Sequence, residues 1–476
     1  MKKIGLFLGV LVALLTASCS NILVSDGDGG SISLVIDGAT AQSIRSAGAL
    51  RSTTGGSTYT LTASIRGDYT ATQSVSSSAD GLGAVTFTFE RVPAGKSIIL
   101  DLAATVNGSY IWYGNSGKHT VKRGENQLQI AVGRVSGVLL WNNTSVKIVP
   151  YGNLGETGTQ VVGVQTMLPS WCFDNKGNLY VAQTASTGAQ RYDLQADGTY
   201  PSSASANYLG PSISALSYDN VTGILYGIGD DGSLQYWQTG GGSSGSSRLS
   251  ILDAVGFAAH NNIIYTATFN AVENEGWKAQ VTLSKYEVDS GGVDPSLQKI
   301  ITLPDAFLTI SRSAPTGQMI YKDGALYLLL GSFSVSSSTT DTEGQSCGAL
   351  LRINPSTLTL DTSFGSNGYL GLASERTISG TYIDDPYSMK LYSPTESDES
   401  RAFYGPVGFV AVMPKKLVIA DAGYALSKGS NDQLRARRKN RVVTVDLETQ
   451  AFAGTSLSDT GSYGNVVSSC GFLVVN

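Results

Sequence analysis

The chain is poor in charge, histidine and methionine. Only 14% of its 476 residues are charged, and it contains 2 His and 5 Met. Long helices carry Glu, Lys, Leu and Ala on their exposed faces, so the scarcity of charge argues against a helical bundle or a coiled coil. A nucleic-acid-binding protein needs a strongly basic surface, whereas the formal net charge here is −5. We therefore predict no nucleic-acid partner.

The residues that are frequent favour β structure. The chain has 56 Gly and 23 Tyr, and Thr, Val and Ser are common throughout. Tyr, Thr and Val fit the pleated surface of a sheet, and Gly supplies tight turns between strands. A chain of this length is expected to form roughly two to three domains. The composition thus predicts an all-β protein of more than one domain.

The N-terminus has the pattern of an export signal. Lys2 and Lys3 precede an apolar run at residues 4–15, and small residues follow up to Cys19. The 12 apolar residues are too few to cross a bilayer as a helix, so we expect residues 1–18 to be a signal peptide.

The sequence LLTASC at residues 14–19 resembles the lipobox of bacterial lipoproteins. The resemblance implies cleavage before Cys19, which then carries acyl chains and anchors the protein in the bacterial cell envelope, at the outer membrane, the cell surface or the periplasmic face. Thr16 stands where the family usually has Leu. The alternative is an ordinary secretory signal with an incidental Cys19.

The other cysteines, Cys172, Cys347 and Cys470, form no Cys-x-x-Cys pair. Their spacing therefore predicts no metal or redox motif, and the sequence leaves open whether two of them form a disulfide.

Alternation of apolar and polar residues begins after a polar tether at residues 19–30. Between residues 31 and 135, apolar triplets recur at alternate positions: Ile32, Leu34, Ile36; Leu61, Ala63, Ile65; Val85, Phe87, Phe89; Ile98, Leu100, Leu102; and Leu128, Ile130, Val132. This period of two predicts a β-sandwich of about seven strands. Residues 89–96 and 124–126 resemble small Ig-like sandwich domains of bacterial surface lipoproteins.

Residues 136–476 contain an internal repeat of a turn followed by an apolar strand. The copies are at 177–181, 223–227, 262–266, 324–328, 416–419 and 471–474, each preceded by another apolar strand. A third strand follows each of the first five copies, at 190–192, 234–236, 284–286, 351–353 and 443–445. The rhythm resembles the NHL and YWTD β-propellers, which implies six blades.

Closure of the predicted ring uses N-terminal strands. The sixth copy is followed by no third strand, so residues 146–148 and 161–164 are predicted to complete its blade. A gap of 91 residues separates Tyr327 from Val418, which leaves room for a seventh blade as the alternative.

Four long segments are predicted to be loops on one face of the propeller: 267–280, 332–347, 369–405 and 421–440. Long loops on a rigid scaffold commonly bind ligands. Their aromatic and charged residues are candidates for binding a protein or a glycan: Glu273, Trp277, Tyr382, Asp384, Asp385, Tyr387, Arg435, Arg437 and Arg438. The alternative is that these segments are tolerated insertions with solvated charges.

The sequence carries no catalytic set. His119 and His260 lie in different predicted domains, and no Ser–His–Asp arrangement is indicated. Propeller lactonases bind a metal at the channel mouth, but Asp174, Asp219 and Asp323 stand at tight turns, where Asp is favoured for structural reasons. We therefore predict no catalytic residue, no metal and no cofactor. The favoured function is non-catalytic binding by a lipid-anchored envelope protein; the alternatives are a metal-dependent hydrolase or lactonase and an envelope assembly scaffold.

Overall fold

The fold was analysed in a computed structural model. The structure describes residues 29–36, 58–78, 84–106, 109–116, 118–128, 130–135, 138–142, 145–149, 159–162, 171–174, 178–182, 188–193, 201–240, 244–247, 251–252, 254–273, 277–288, 295–309, 315–337, 342–374, 376–382, 385–391, 394–413, 415–428, 434–456 and 474–475. The regular secondary structure of these residues is almost entirely β-strand, which confirms the predicted all-β class. Helix is limited there to α1 (Ala306–Thr309) and a 3-10 turn at Glu396–Asp398, and no helix in these ranges is long and apolar enough to cross a membrane.

Two sheets form at the N-terminal end of the chain. Their strands are β1 (Gly29–Ile36), β2 (Thr58–Gly67), β3 (Ala71–Ser78), β4 (Val85–Pro93), β5 (Ser97–Val106), β6 (Ser109–Asn115), β7 (His119–Thr120), β8 (Gly124–Gln127) and β9 (Ala131–Val135). One sheet has the order β4-β1-β8, and the other begins β3-β2-β5-β6-β9 with β7 beside β5. We call these two sheets the N-terminal sheets.

The N-terminal sheets share one apolar core. Ile32 and Leu34 of β1 and Phe87 of β4 belong to the same buried cluster as Leu61 of β2 and Leu100 of β5. These residues occupy alternate positions in their strands, so each strand presents its apolar side to the space between the sheets. The predicted alternation is therefore confirmed for these strands.

Strands β10 to β34 form one three-stranded, five four-stranded and one two-stranded antiparallel sheet among the described residues. The three-stranded sheet is β10 (Val138–Asn142), β11 (Ser145–Val149) and β12 (Thr159–Val162). Sheet one is β13 (Trp171–Phe173), β14 (Leu179–Ala182), β15 (Ala189–Tyr192) and β16 (Ala206–Tyr208). Sheet two is β17 (Ile213–Asp219), β18 (Ile224–Gly229), β19 (Leu234–Gln238) and β20 (Ser244–Ser247). Sheet three is β21 (Ala254–His260), β22 (Ile263–Glu273), β23 (Trp277–Glu287) and β24 (Leu297–Thr302).

Sheet four is β25 (Thr316–Lys322), β26 (Ala325–Ser337), β27 (Thr342–Ile353) and β28 (Tyr369–Leu370). A two-stranded sheet of β29 (Arg376–Tyr382) and β30 (Asp385–Leu391) follows. Sheet five is β31 (Pro406–Met413), β32 (Lys416–Lys428), β33 (Leu434–Asp446) and β34 (Phe452–Ser456). The last described strand is β35 (Val474–Val475).

The first strands of successive sheets lie side by side. β13 contacts β17, β17 contacts β21, β21 contacts β25 and β25 contacts β31, while β31 in turn contacts β10 of the three-stranded sheet. Each four-stranded sheet follows the chain order of its strands. This arrangement is consistent with a β-propeller. The first five predicted repeats each coincide with the first three strands of sheets one to five.

The sixth repeat differs from its prediction. Val474 of β35 pairs with Val135 of β9, so the described end of the chain joins the N-terminal sheets. β11 contains residues 146–148 and already has β10 and β12 on its two sides. The predicted pairing of residues 471–474 with residues 146–148 is therefore wrong, because β10 occupies that edge. The strand predicted at 466–470 lies outside the described residues.

The long gap in the repeat contains a hairpin. Tyr382 of β29 pairs with Asp385 of β30, and Arg376 pairs with Leu391. The described residues between sheets four and five thus form two strands of their own rather than a further four-stranded sheet.

The N-terminal sheets are joined to sheet five by ion pairs. Arg66 of β2 donates from Nε to Asp101 Oδ2 at 2.5 Å and from its terminal nitrogen to Asp446 Oδ2 at 2.5 Å. The Nζ atom of Lys416 lies 3.8 Å from the other oxygen of Asp101. Lys416 and Asp446 pair with each other at the start of β32 and the end of β33, so the contact lies at the end of sheet five that carries the β31–β32 turn.

Candidate binding face

Three of the four segments predicted as loops are the outer parts of long β-hairpins. The ladder between β21 and β22 ends at Thr268, but β22 continues to Glu273. Likewise β26 continues beyond Gly331 to Ser337, and β32 beyond Asp421 to Lys428. At about 3.4 Å per residue, these extensions reach roughly 17–24 Å beyond the first strand of their sheet. The prediction of loops was wrong here, since the hairpin backbones pair with themselves.

The chain direction places these hairpins at one end of the sheets. In an antiparallel sheet, the turn between the second and third strands lies opposite the turn between the first and second. The β22–β23, β26–β27 and β32–β33 hairpins therefore point away from the first turn of their sheets. The β29–β30 hairpin connects the fourth strand of sheet four to the first strand of sheet five, so it leaves from the same end. We call this end the hairpin face.

Most of the predicted binding residues have defined positions on these hairpins. Glu273 pairs with Trp277 next to the end of the first hairpin, and Glu273 is exposed. Tyr382 pairs with Asp385, and Tyr387 pairs with Gly380. Arg435, Arg437 and Arg438 stand opposite Ser427, Ala425 and Tyr424. Asp384 and Cys19 lie outside the described residues. The predicted binding residues are thus distributed over three separate hairpins.

The base of the β32–β33 hairpin contains a buried ion pair. Arg441 donates from Nε to Asp421 Oδ2 at 2.8 Å, and the two side chains are 1% and 0% exposed. Asp421 also accepts the backbone amides of Tyr404 at 2.9 Å and Gly405 at 2.7 Å. Arg441 belongs to the basic run at residues 435–441, but its burial makes it a structural member of sheet five and removes it from any binding surface.

Further contacts hold Arg441 in place. Its terminal nitrogens donate to the backbone carbonyls of Glu399 and Ala402, and its guanidinium carbon lies 4.1 Å from the centre of the Tyr404 ring. Burial raises the pKa of Asp421, while Arg441 and the two amides act in the opposite direction. The segment between β30 and β31 is therefore held against the base of β33. The β29–β30 and β32–β33 hairpins are thus both attached close to Arg441.

The aspartates at the first turns have structural roles. Asp174 accepts the amide of Asn178 at 2.9 Å and the Tyr180 hydroxyl at 3.2 Å. Asp219 is fully buried and accepts the amides of Val221 at 2.9 Å and Asn262 at 2.8 Å.

Asp219 therefore links sheet two to the first turn of sheet three. Burial alone raises its pKa, but the hydrogen bonds from the amides of Asn262, Asn261 and Val221 and from the Thr222 hydroxyl outweigh that effect, so the pKa lies below its usual range.

Asp323 differs from Asp174 and Asp219 because it is exposed. It adopts a φ of 49° in the turn before Gly324, and its carboxylate lies 3.3 Å from Lys322 Nζ.

The tyrosines of the repeat are buried between sheets. Tyr180, Tyr226, Tyr265 and Tyr327 occupy the second strands of sheets one to four and are at most 4% exposed. Tyr180 stacks on Tyr218 of sheet two with 5.1 Å between ring centres, and the Tyr226 hydroxyl donates to Asn262 of sheet three. Burial next to Tyr321 raises the pKa of Tyr265 to about 12. These rings pack successive sheets together and are not part of the hairpin face.

Neither histidine belongs to a catalytic arrangement among the described residues. His119 Nε2 lies 3.1 Å from Asn126 Oδ1, and His260 stacks on Tyr321 with 3.7 Å between ring centres. Within the same ranges, no group of three or more His, Cys, Asp or Glu residues is arranged to hold a metal ion. Cys172 and Cys347 are free thiols, and Cys347 is buried.

Comparison with known proteins identifies one sequence family. The family described as the TdpA C-terminal domain matches residues 391–461, which include all four strands of sheet five. No curated protein matches the sequence. Among solved structures, the chain is similar to a structural genomics protein of unknown function from Bacteroides thetaiotaomicron VPI-5482. The TM-score is 0.31 at 11% sequence identity, and the match covers 83% of this chain and 78% of that chain.

Proposed function

We propose that the protein is a lipid-anchored, non-catalytic binding protein of the bacterial cell envelope, whose hairpin face binds a protein or glycan partner. The observation that carries the proposal is the position of the N-terminal sheets. Arg66 joins them to sheet five at Asp446, opposite the end from which the β32–β33 hairpin extends. The proposed lipid anchor and the hairpin face thus lie at opposite ends of sheet five, so attachment to a membrane leaves the hairpin face accessible to a partner.

The architecture behind this proposal has two parts. The N-terminal sheets are an Ig-like spacer above Cys19, and the chain from residue 136 onward, apart from β35, forms a six-bladed propeller. Five blades are the four-stranded sheets, and the three-stranded sheet beside β31 belongs to the sixth. Long paired hairpins on such a scaffold hold their side chains at fixed separations, which lowers the entropy lost on binding compared with irregular loops.

Removal of the β29–β30 hairpin tests the binding face. Arg376 pairs with Leu391, so residues 377–390 can be replaced by a two-residue turn that joins neighbouring positions. The excision spares Phe403 and Tyr404, which are buried against sheet five. We expect the variant to lose envelope partners that the intact protein captures. The matched control is Val221→Ser, because Val221 is 59% exposed in a first turn at the opposite end. Unchanged partners after the excision would exclude this hairpin from the binding face.

Substitution of Cys19 tests the anchor. We expect Cys19→Ala to move the protein from the membrane fraction to the soluble fraction, whereas Ser20→Ala leaves it membrane-bound. A Cys19→Ala protein that stays in the membrane fraction contradicts the proposed lipidation. The metal-dependent hydrolase remains the second candidate only if purified protein contains a stoichiometric divalent ion.

A further inference from the structure

Two leucines between the sheets have side chains that are open to solvent. Leu209 lies between β16 and β17 and is 78% exposed, and Leu252 lies between β20 and β21 and is 56% exposed. A single exposed leucine is ordinary, but apolar side chains that share one surface mark an interaction site. The question is therefore whether these two leucines belong to the same surface.

Both leucines lie at the same end of the sheets as the long hairpins. Each belongs to a connection from the fourth strand of one sheet to the first strand of the next, and such connections leave from the end opposite the first turns. Asp219, at the first turn of sheet two, accepts the amide of Asn262, at the first turn of sheet three, at 2.8 Å. The first turns of these neighbouring sheets are therefore aligned, and Leu209 and Leu252 are on the hairpin face.

The second turn of sheet two lies between the two leucines. The amide of Asp230 in this turn donates to the Ser212 carbonyl at 3.1 Å, in the connection that carries the first leucine. On the other side, the amide of Ile251 donates to the Gly232 carbonyl at 2.8 Å, and a Cβ on Gly232 would lie 2.9 Å from Leu252 Cδ2. The turn and the two leucines thus form one continuous surface. We call it the leucine surface, and it consists of Leu209, residues 229–233 and Leu252.

The backbone of the leucine surface is fixed by its own contacts. Nε1 of the buried Trp237 donates to the Leu209 carbonyl at 3.0 Å, and a Cβ on Gly210 would lie 3.0 Å from the Trp237 ring. In the turn, Asp231 Oδ1 accepts the Ser233 amide at 2.9 Å and the Ser233 hydroxyl at 2.6 Å. A backbone that is already ordered lowers the conformational entropy lost when a partner binds.

The leucine surface carries negative charge between its apolar side chains. Asp230 and Asp231 are exposed, and the described residues of the surface and of its two connections include no basic residue. The hydrogen bonds from the Ser233 hydroxyl and amide hold the pKa of Asp231 below its ordinary value, so this carboxylate is ionised at neutral pH. The pair attracts a cationic group, whereas it repels an anionic lipid headgroup, a nucleic acid or an acidic glycan.

We infer that the leucine surface binds a protein segment in which Lys or Arg side chains lie between apolar side chains. The cationic groups of the segment pair with Asp230 and Asp231, and its apolar groups pack on Leu209 and Leu252. The inference rests on the proposed function and narrows the partner at the hairpin face to a protein. A neutral glycan fits less well, because a leucine side chain offers no hydrogen-bonding group to a sugar hydroxyl.

Three synthetic peptides of equal length and one amphipathic pattern test the inference, with the full chain immobilised in a neutral detergent. The first peptide combines Leu with Lys, the second Leu with Glu and the third Ser with Lys, so that either the charge or the apolar groups are changed. Binding to detergent alone is subtracted. We expect the Leu/Lys peptide to bind at least tenfold more tightly than the other two, and added salt to weaken its binding.

Two combined variants test the leucine surface itself. Leu209→Ser with Leu252→Ser is expected to weaken binding of the Leu/Lys peptide at least tenfold. Asp230→Asn with Asp231→Asn is expected to weaken it at least threefold and to reduce its dependence on salt. Asn keeps a side-chain oxygen that can accept the hydrogen bonds of Ser233, and both leucines are exposed. The melting temperature of each variant is therefore expected to equal that of the unmodified chain.

Each variant has a control of the same chemistry elsewhere in the molecule. Val221, in a first turn, is 59% exposed, and Ile300, on β24, is 62% exposed, so changing both to Ser removes two exposed apolar side chains. Glu90→Gln with Glu125→Gln removes two exposed carboxylates from the N-terminal sheets. We expect both controls to bind the Leu/Lys peptide within twofold of the unmodified chain. Losses in the controls equal to those in the variants would reduce the effect to general stickiness or charge and overturn the inference.

Four further outcomes also overturn it. They are absence of Leu/Lys peptide binding by the unmodified chain, equal binding of the Leu/Glu peptide, an unchanged affinity of the leucine variant, and tighter binding of neutral dextran or of phosphatidylglycerol vesicles than of the Leu/Lys peptide. The proposed function is judged separately by partner capture. If the leucine variant still captures envelope partners and the excision of residues 377–390 does not, the hairpin face stands and only the inference about the leucine surface fails.

Discussion

Substitution of Arg441 by Met provides the most direct test of how the β32–β33 hairpin is held. Met retains much of the aliphatic length of Arg but removes the charge and every hydrogen-bond donor. The substitution leaves Asp421 in a fully buried position with the amides of Tyr404 and Gly405 as its remaining partners among the described residues. It also leaves the carbonyl oxygens of Glu399 and Ala402 without the guanidinium.

The expected cost follows from burial. Removing one partner of a buried ion pair costs about 3–5 kcal/mol, because the remaining charge stays out of water. The guanidinium also lies over the ring of Tyr404, a contact that contributes about 0.5–2 kcal/mol. Met recovers part of the packing around the lost side-chain stem. We therefore expect Arg441→Met to lower the free energy of unfolding by about 4 kcal/mol.

Arg401 is the matched control for this substitution. Its guanidinium pairs with Asp398 at 2.6 Å, but its side chain is 69% exposed. Asp398 itself is only 3% exposed, but it keeps the hydrogen bonds from the Thr395 amide and hydroxyl when the solvated guanidinium is removed. Arg401→Met is therefore expected to cost about 1 kcal/mol, well below Arg441→Met. Urea denaturation of both variants, followed by tryptophan fluorescence, measures the difference. A cost below about 1 kcal/mol for Arg441→Met, or equal costs for the two substitutions, would refute the reasoning.

Three further substitutions test other parts of the structure. Asp219→Ala removes the acceptor of buried amides at the joint between sheets two and three, and we expect a loss of about 2–4 kcal/mol. Because the folded-state pKa of Asp219 is lowered, its stabilisation is present above the unfolded-state pKa and is lost as pH falls through the folded-state value. In urea titrations, the difference in stability between this variant and the unmodified protein should therefore be larger at neutral pH than at acidic pH. Gly331→Ala would place a Cβ on the Pro406 carbonyl oxygen and is expected to cost about 2 kcal/mol, whereas Gly240→Ala, with open space around its Cβ, is expected to be neutral in thermal denaturation. Arg66→Met removes the bridge to two carboxylates and is expected to cost about 1–2 kcal/mol, with faster amide hydrogen exchange in β2 and at the end of β33.

Local pattern was sufficient to predict the strands and their first turns. Asn261, Asn262 and Asp323 adopt positive φ angles in two of these turns, which is the conformation that Asn and Asp tolerate best. The strands on either side of such turns either alternate apolar and polar residues or bury a run of apolar residues. Their pattern in the sequence therefore predicts strands clearly. The same information predicted the structural role of Asp174 and Asp219.

The long hairpins could not be predicted in the same way. Beyond Asp421 the strands leave the sheet core, and the sequence from Ala422 to Lys428 no longer alternates between apolar and polar residues. Backbone pairing, which the side-chain pattern does not encode there, holds these strands together. The contact of Arg66 with Asp446 joins residues 380 positions apart. In the sequence, charged residues at the ends of two strands look like ordinary solvated surface residues. Their contact with each other becomes evident only in the folded structure.

Sheet five connects the proposed binding end to the proposed anchor end through continuous strands. β32 runs from Lys416, beside Asp101, to Lys428 near the end of the hairpin, and β33 returns to Asp446, the partner of Arg66. Each strand has 13 residues and spans about 44 Å at ~3.4 Å per residue. Their ladder pairs every position from Lys416 to Lys428, so a force applied at the hairpin acts along a paired ribbon. The buried Asp421–Arg441 pair lies partway along that ribbon, and the ion pairs of Arg66 lie at its end. A ligand held at the hairpin face would therefore be connected to the N-terminal sheets through strands that these two charge contacts join to neighbouring segments, which is why both are targets of substitution.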